Sequence, residues 1–171
     1  IRAKKDIKTI VLPEGNDIRT IEAVEKVRKE QFADVIVLGN KDEILNMAKE
    51  HNINIDGVKI INPVEDARFE KFANEFYELR KAKGMTLEKA EEILKDETYF
   101  GMMMVKLGYA DGLVSGACHS TANTLRPALQ ILKTAPDTKL VSAFFVMVVP
   151  NCEYGSNGTF IFGDAGLNEN P

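Results

Sequence analysis

The residues best suited to chemistry lie in one stretch, residues 111–127, which reads DGLVSGACHSTANTLRP. A short apolar run is followed there by small and hydroxyl residues and then by a helical pattern. Loop N–H groups, hydroxyls and a helix amino terminus are donors that suit a phosphoryl group. Arg126 adds a planar guanidinium that can hold two phosphate oxygens at once. We therefore predict an anion-binding loop with side-chain donors at Ser115, Ser120, Thr121 and Thr124.

His119 lies in the middle of this loop and could act as a general base or as a hydrogen-bonding group. Because no nucleophile stands out beside it, we expect capping or ligand binding rather than proton transfer. Histidines, cysteines and carboxylates do not follow a metal-ligand spacing, so we predict no metal site. The motifs of P-loop NTPases, dinucleotide-binding folds and serine hydrolases are absent, which argues against those classes.

The start of the helix after the loop stays open at this stage. Pro127 suits the first turn of a helix that begins near Thr124, but it would kink a helix that begins at Thr121.

Alternating strands and helices must position this loop. Apolar runs at residues 7–12, 35–38 and 58–61 each precede an amphipathic helical pattern, and a further helical pattern runs from Thr86 to Gly108. This alternation predicts an α/β fold in which helices flank a parallel sheet on both faces. Ligands bind such sheets at the carboxyl ends of the strands, where the predicted loop lies.

The pattern changes after Lys133. Residues 140–149 and 159–162 are apolar runs separated by a turn-rich polar loop, which predicts paired strands rather than another crossover. Nothing follows that could cover them, so we expect a chain cut shortly after a second domain begins. The predicted division is a first α/β domain at residues 1–139, and the start of a second at residues 140–171.

Composition narrows the class of protein further. The 171 residues are 44% hydrophobic and 28% charged, an ordinary globular balance, and the net charge is −4. A negative chain has no large positive field for nucleic acid, and no apolar run reaches the roughly 20 residues that a membrane span needs. Two cysteines, Cys118 and Cys152, fit buried thiols in a reducing cytoplasm. We expect a cytoplasmic protein with no nucleic-acid or membrane partner.

The same segment carries a family resemblance. Residues 111–117, the stretch HSTA at residues 119–122 and residues 124–130 resemble the hallmark of the phosphate acetyltransferase (phosphotransacetylase) family. Residues 11–15, Arg19, residues 99–102, residues 163–164, Asn168 and Pro171 follow in the family's order. The resemblance therefore covers essentially the whole chain and about the amino-terminal half of a family member. It implies the isocitrate/isopropylmalate dehydrogenase-like α/β fold, with two domains and an active site between them.

The resemblance implies reversible transfer of an acetyl group, in which acetyl-CoA and phosphate give acetyl phosphate and CoA. CoA would be a substrate, with no cofactor and no metal, and the full-length protein would be a homodimer. A CoA thiolate would attack the acetyl carbonyl of acetyl phosphate, and phosphate would leave into an arginine-lined pocket.

The resemblance also assigns site residues. Arg80 and Arg126 match substrate-binding arginines, with Arg80 serving either CoA or the small anion, and Ser120 and Thr121 match positions beside the phosphoryl group. The family's catalytic aspartate and its serine–arginine pair lie beyond Pro171, so we expect no catalytic residue in these 171 residues and no activity from them alone. Further candidate contacts are Ser115, His119 and Asn168.

Two alternatives stay open. A phosphate butyryltransferase performs the same chemistry on a longer acyl group, and one methylene changes binding by only about 1–3 kcal/mol. A regulatory domain that senses acyl-CoA without turnover is the other, since domains like this are also found fused to malic enzymes.

Overall fold

A parallel sheet of four strands forms the centre of the first part of the protein. Its strands are β1 (Lys8–Leu12), β2 (Ala33–Leu38), β3 (Lys59–Ile61) and β4 (Gly112–Leu113), in the order β3-β2-β1-β4. The computed structural model describes residues 2–138 and 141–163. It divides into two units, Ile1–Lys133 and Thr134–Pro171. The domain boundary after residue 139 stays a prediction for the full-length protein.

Helices cover both faces of this sheet, because alternate strand residues are apolar on both sides. On one face, two helices bury Ile21, Val24 and Ile44 with Val37 of β2. On the other face, four helices pack against Ile36 and its neighbours in the sheet. The predicted α/β class with a parallel sheet is confirmed. The helices are α1 (Ile18–Glu30), α2 (Lys41–Glu50), α3 (Phe69–Arg80), α4 (Leu87–Leu94), α5 (Glu97–Lys106) and α6 (Thr121–Ile131).

The helical pattern from Thr86 to Gly108 is two helices rather than one. Asp96 accepts hydrogen bonds from the N–H groups of Thr98 (2.9 Å) and Tyr99 (3.1 Å), so it caps the amino terminus of α5. This cap satisfies donors that a continuous helix would have bonded internally, and it lets the chain turn between α4 and α5.

The order in which strands join the sheet reverses between β1 and β4, although all four strands run parallel. From β1 the chain crosses to β2 on one side, and β4 later returns to the other side, pairing Val11 with Leu113 in parallel register. The helices that follow β1 and β4, α1 and α6, therefore lie on opposite faces of the sheet, and α/β sheets bind ligands at the carboxyl edge of such a pair of strands. The chain leaves β1 through Gly15, where a Cβ atom would collide with the carbonyl oxygen of Leu38.

The second unit contains an antiparallel strand pair, as predicted. Strands β5 (Phe144–Val148) and β6 (Thr159–Gly163) pair with Val146 opposite Ile161. Strand β5 covers only part of the predicted run of residues 140–149, whose first residue lies outside the described residues. Its side chains are exposed on both faces, 65% at Phe144 on one face and 55% at Phe145 on the other.

No helix in the described residues is long and apolar enough to cross a membrane.

We predict that a protein of these 171 residues alone self-associates, because exposed apolar faces and free strand edges drive association. Sedimentation velocity should show concentration-dependent oligomers. Replacing the facing pair as Val146→Lys with Ile161→Glu should shift the protein toward monomer, whereas Val64→Lys, which charges an exposed site of the first unit, should not. A monomer at all concentrations without any substitution would contradict the prediction.

Candidate functional site

The candidate site lies at the carboxyl edge of β1 and β4. Parallel register between Val11 and Leu113 brings the residues three positions further along each chain, Glu14 and Gly116, to the same place. The pairing extends past β4 through the Val114 N–H, which donates to the carbonyl oxygen of Val11 at 3.0 Å. Strand pairing alone therefore delivers an acidic residue to the base of the predicted anion-binding loop.

Glu14 lies at the base of this loop and accepts most of its hydrogen bonds from the loop's backbone. Its carboxylate is only 3% exposed and accepts four consecutive backbone N–H groups. Burial raises the pKa of Glu14, but the N–H donors and the His119 ring outweigh that effect and hold its pKa well below the usual range. Glu14 is therefore ionised at neutral pH. Its donors are Gly116 (2.9 Å) and Ala117 (2.8 Å) to Oε2, and Cys118 (2.8 Å) and His119 (2.9 Å) to Oε1.

This arrangement corrects one of our expectations. Successive N–H groups turned to one side form a concavity that binds anions, and the sequence offered the loop's N–H groups to a phosphoryl group. In the structure, an internal carboxylate already fills that concavity. An external phosphoryl group must therefore be bound by other donors.

Glu14 was not among the site residues predicted from the sequence. One signal was present, an acidic residue directly after a buried strand and therefore at the ligand-binding edge of an α/β sheet. Its partners lie 102 to 105 residues away in the chain, and their adjacency depends on β4 pairing with β1.

Glu14 also orients the imidazole ring of His119. Nδ1 of the ring lies 2.8 Å from Glu14 Oε1, and an ionised carboxylate can only accept a hydrogen bond. Nδ1 therefore carries a hydrogen, which leaves Nε2 as the ring nitrogen that can contact a ligand. The side chain of His119 is 22% exposed, and Nε2 has no hydrogen-bond partner among the described residues.

Arg19 holds the same loop from the other side. Asp17 caps α1 by accepting the N–H of Arg19 (2.9 Å) and forms an ion pair with its guanidinium (2.7 Å). The guanidinium also donates to the carbonyl oxygen of Ala117. The first turn of α1 therefore helps to fix the loop, a role for Arg19 that the sequence did not reveal.

The structure resolves the start of α6. The helix begins at Thr121, and Ser120 caps it by accepting the N–H of Asn123 on its Oγ at 3.2 Å. Pro127 therefore lies inside the helix. The N–H groups of Asn123 and Thr124 donate to the carbonyl oxygen of Ser120, at 3.0 Å and 3.2 Å. Within the described residues, the N–H groups of Thr121 and Ala122 therefore remain as donors for an anion.

Ser115 lies behind this turn. Its Oγ is 3.5 Å from Oγ1 of Thr124, so the two hydroxyls contact each other at the edge of hydrogen-bonding distance. Four of the predicted residues, Ser115, His119, Ser120 and Thr121, therefore belong to one continuous loop and helix start. Asn168 lies outside the described residues.

Arg80 and Arg126 approach one tyrosine from two helices. Arg80 ends α3 and Arg126 lies on α6, and the charges of both oppose the rise in the pKa of Tyr99 that burial causes. The Tyr99 hydroxyl lies 3.3 Å from Oε1 of Gln130, also on α6. Within residues 2–138 and 141–163, neither arginine pairs with a carboxylate, and the buried Nε of Arg80 has no hydrogen-bond partner.

Three side chains could be considered as metal ligands, and they do not fit that role. One ligand atom each from Glu14, Cys118 and His119 lie within 4.8 Å of one another. Both Glu14 oxygens already accept hydrogen bonds, and partial burial and the Glu14 charge raise the pKa of the Cys118 thiol, which disfavours the thiolate that binds metals. Cys118 is also exposed, so its predicted burial is wrong; Cys152 is half-buried.

Comparison with known proteins defines the class to which this fold and site belong. The chain matches the phosphate acetyl/butaryl transferase family over residues 1–171. It belongs to that family, as the resemblance predicted.

Individual relatives agree. A phosphate acetyltransferase from Acetivibrio thermocellus is 59% identical over 170 residues, covering 99% of this chain and 51% of the relative, and one from Thermoanaerobacterium thermosaccharolyticum is 57% identical with the same coverage. A phosphotransacetylase structure from Staphylococcus aureus superposes with a TM-score of 0.85 at 38% identity, covering 98% of this chain and 48% of that chain. The chain therefore spans about half the length of the curated relatives it matches.

We predict that Glu14→Gln in the full-length protein destabilises it most at neutral pH. The folded-state pKa of Glu14 is depressed, so its stabilisation is complete above the unfolded-state pKa of about 4.3 and is lost as the pH falls toward the folded-state pKa. An amide places an NH2 group against N–H donors, which should cost about 1–3 kcal/mol at pH 7.

Urea unfolding of both proteins at pH 7 and pH 3.5 measures this difference, which should shrink at the lower pH. The matched control is Glu25→Gln, because Glu25 is a half-buried carboxylate on α1 that accepts a single backbone N–H, from Asn54 at 2.7 Å. A Glu14→Gln effect that is equal at both pH values would contradict the assignment of Glu14 as the ionised acceptor.

Proposed function

We propose that this chain is the phosphate-binding half of a phosphate acetyltransferase, which interconverts acetyl-CoA and orthophosphate with acetyl phosphate and CoA. The observation that carries the proposal is the family match over all 171 residues, together with relatives of that name at 57–59% identity. Acetyl rather than butyryl is proposed because those relatives are acetyltransferases. We further propose a cytoplasmic homodimer for the full-length enzyme.

The site supports a role in holding the anion. Because Glu14 uses the loop N–H groups, we propose that Ser120, Thr121 and the free N–H groups of the first turn of α6 bind the phosphoryl oxygens. Arg126 on the same helix would supply the positive charge, and the half-buried Arg80 would approach from α3. A dianion needs such compensation, and charge-assisted hydrogen bonds to guanidinium contribute about 1.5–3 kcal/mol each.

The proposed reaction needs groups that these 171 residues do not supply. In the direction of acetyl-CoA synthesis, a C–S bond forms between CoA and the acetyl carbon, the C–O bond to phosphate breaks, and the thiol proton passes to a base. We propose that the base and the donors to the oxyanion come from the rest of the full-length chain, since removing a single oxyanion donor commonly costs about 10²–10³ in rate. The 171 residues alone should therefore be inactive.

The direct test is an assay of the full-length enzyme for CoA-dependent formation and breakdown of acetyl phosphate, beside butyryl phosphate. A larger kcat/KM for acetyl phosphate supports the proposal, and a larger value for butyryl phosphate assigns the alternative. Saturable binding of acetyl-CoA without turnover would instead identify a regulatory domain.

We predict that Arg126→Ala lowers kcat/KM for acetyl phosphate by about 10- to 100-fold, the effect of losing one charge-assisted contact. Arg126→Lys should restore only part of the loss, because an ammonium cannot bind two oxygens side by side. Steady-state kinetics measure both variants. The matched control is Arg28→Ala, because Arg28 contacts only Asn54 in the described residues, away from Tyr99. Wild-type constants for both Arg126 variants would overturn the phosphate role of Arg126.

We predict that Arg80→Ala raises the KM of one substrate more than that of the other, because Arg80 reaches the site from a separate helix and can serve either CoA or the small anion. Initial-rate measurements with each substrate varied in turn identify which one it serves. Thermal melts must show a folded protein; equal rises in both constants would argue against a binding role.

A further inference from the structure

The Glu14–His119 pair has a consequence for substrate recognition. Glu14 lies beneath the loop, is almost fully buried and cannot reach a substrate past its own donors. Any effect of this carboxylate on the reaction must therefore pass through the groups it holds. Among the residues that donate to Glu14, His119 is the one whose side chain keeps a polar atom without a hydrogen-bond partner in the described residues, Nε2. His119 directly precedes Ser120, which caps α6.

The chemistry of Nε2 follows from its partner. A neutral imidazole has one donor and one acceptor nitrogen, and hydrogen bonding at one nitrogen decides the role of the other. With Nδ1–H donated to Glu14, Nε2 of a neutral ring is an acceptor. Among the proposed small substrates, orthophosphate keeps a P–OH group at neutral pH, whereas the second phosphate proton of a phosphoryl ester or anhydride is lost near pH 6 or below. An acceptor at this position can therefore distinguish orthophosphate from acetyl phosphate.

We infer that Glu14 is a positioning residue that holds His119 as the neutral Nδ1–H tautomer, so that His119 Nε2 accepts a hydrogen bond from the P–OH group of orthophosphate. The inference rests on the proposed function, because it needs orthophosphate bound at the start of α6. It assigns to the buried carboxylate a specificity role that acts through the ring.

Two histidine variants separate this role from a structural one. His119→Asn keeps an amide donor near the position of Nδ1 but removes the acceptor at Nε2, so the loop should stay folded. His119→Gln extends an amide oxygen toward the position of Nε2 and should restore part of the contact. If the His119 ring only stabilised the loop, both variants would change the KM for orthophosphate to the same extent.

In the full-length enzyme, His119→Asn should raise the KM for orthophosphate about five- to tenfold, the value of one neutral hydrogen bond. The KM for acetyl phosphate should change less than about twofold, since its dianion has no proton to donate. His119→Gln should recover part of the orthophosphate KM. Glu14→Gln should reproduce the rise if it folds, and Glu25→Gln should leave both constants as in the wild type.

Nitrogen shifts of ¹⁵N-labelled histidine rings in the wild-type enzyme, with the signals of His119 assigned by their loss in His119→Asn, report the tautomer directly. An Nδ1–H tautomer together with a selective rise in the orthophosphate KM supports the inference. An Nε2–H tautomer, a doubly protonated ring, equal changes in both KM values, or an unchanged orthophosphate KM in His119→Asn would overturn it, even if Glu14→Gln does not fold. A wild-type enzyme without acetyl transfer would instead refute the proposed function.

Discussion

A buried negative charge is the constraint on which this part of the molecule depends. A carboxylate removed from water is costly unless hydrogen bonds replace its hydration. Glu14 meets that condition only when four successive N–H groups of residues 116–119 turn inward and the His119 ring donates to it. The shape of the loop, the orientation of the ring and the place where α6 begins are therefore linked to one side chain at the end of β1.

Because Glu14 occupies the N–H groups of residues 116–119, a bound anion would need positive charge from other residues. Loop amides that neutralise an internal carboxylate contribute little attraction to an external dianion, so positive charge has to come from elsewhere. We propose that it comes from helices rather than from the loop, from Arg80 at the end of α3 and Arg126 on α6, whose charges both oppose the rise in the pKa of Tyr99 that burial causes. Side chains on packed helices are held more firmly than side chains on a free loop, which favours a defined geometry for a charged ligand.

Local patterns in the sequence predicted much of the fold and part of the site. The strand ending at Leu12, the helix that follows it and the paired strands of the second unit follow from apolar periodicity and turn residues. The break at Asp96 was missed, because a helical pattern continues on both sides of the cap. Glu14 was missed for a different reason: its role arises from the pairing of β1 with β4, and no local pattern specifies which strands become neighbours.

The separation of Glu14 from its donors has a consequence for how the protein folds. Pairing between β1 and β2 closes a loop of ordinary crossover length, whereas the contacts of Glu14 span 102 to 105 residues. Contacts of high sequence separation form against a larger loss of chain entropy and slow the folding of a domain. Until β4 pairs with β1, the Glu14 carboxylate has none of these N–H donors and stays hydrated at an open sheet edge. Its burial becomes favourable only when β4 completes the sheet. Protection of the amides at residues 116–119 from hydrogen exchange therefore marks the completion of the native topology in the first unit.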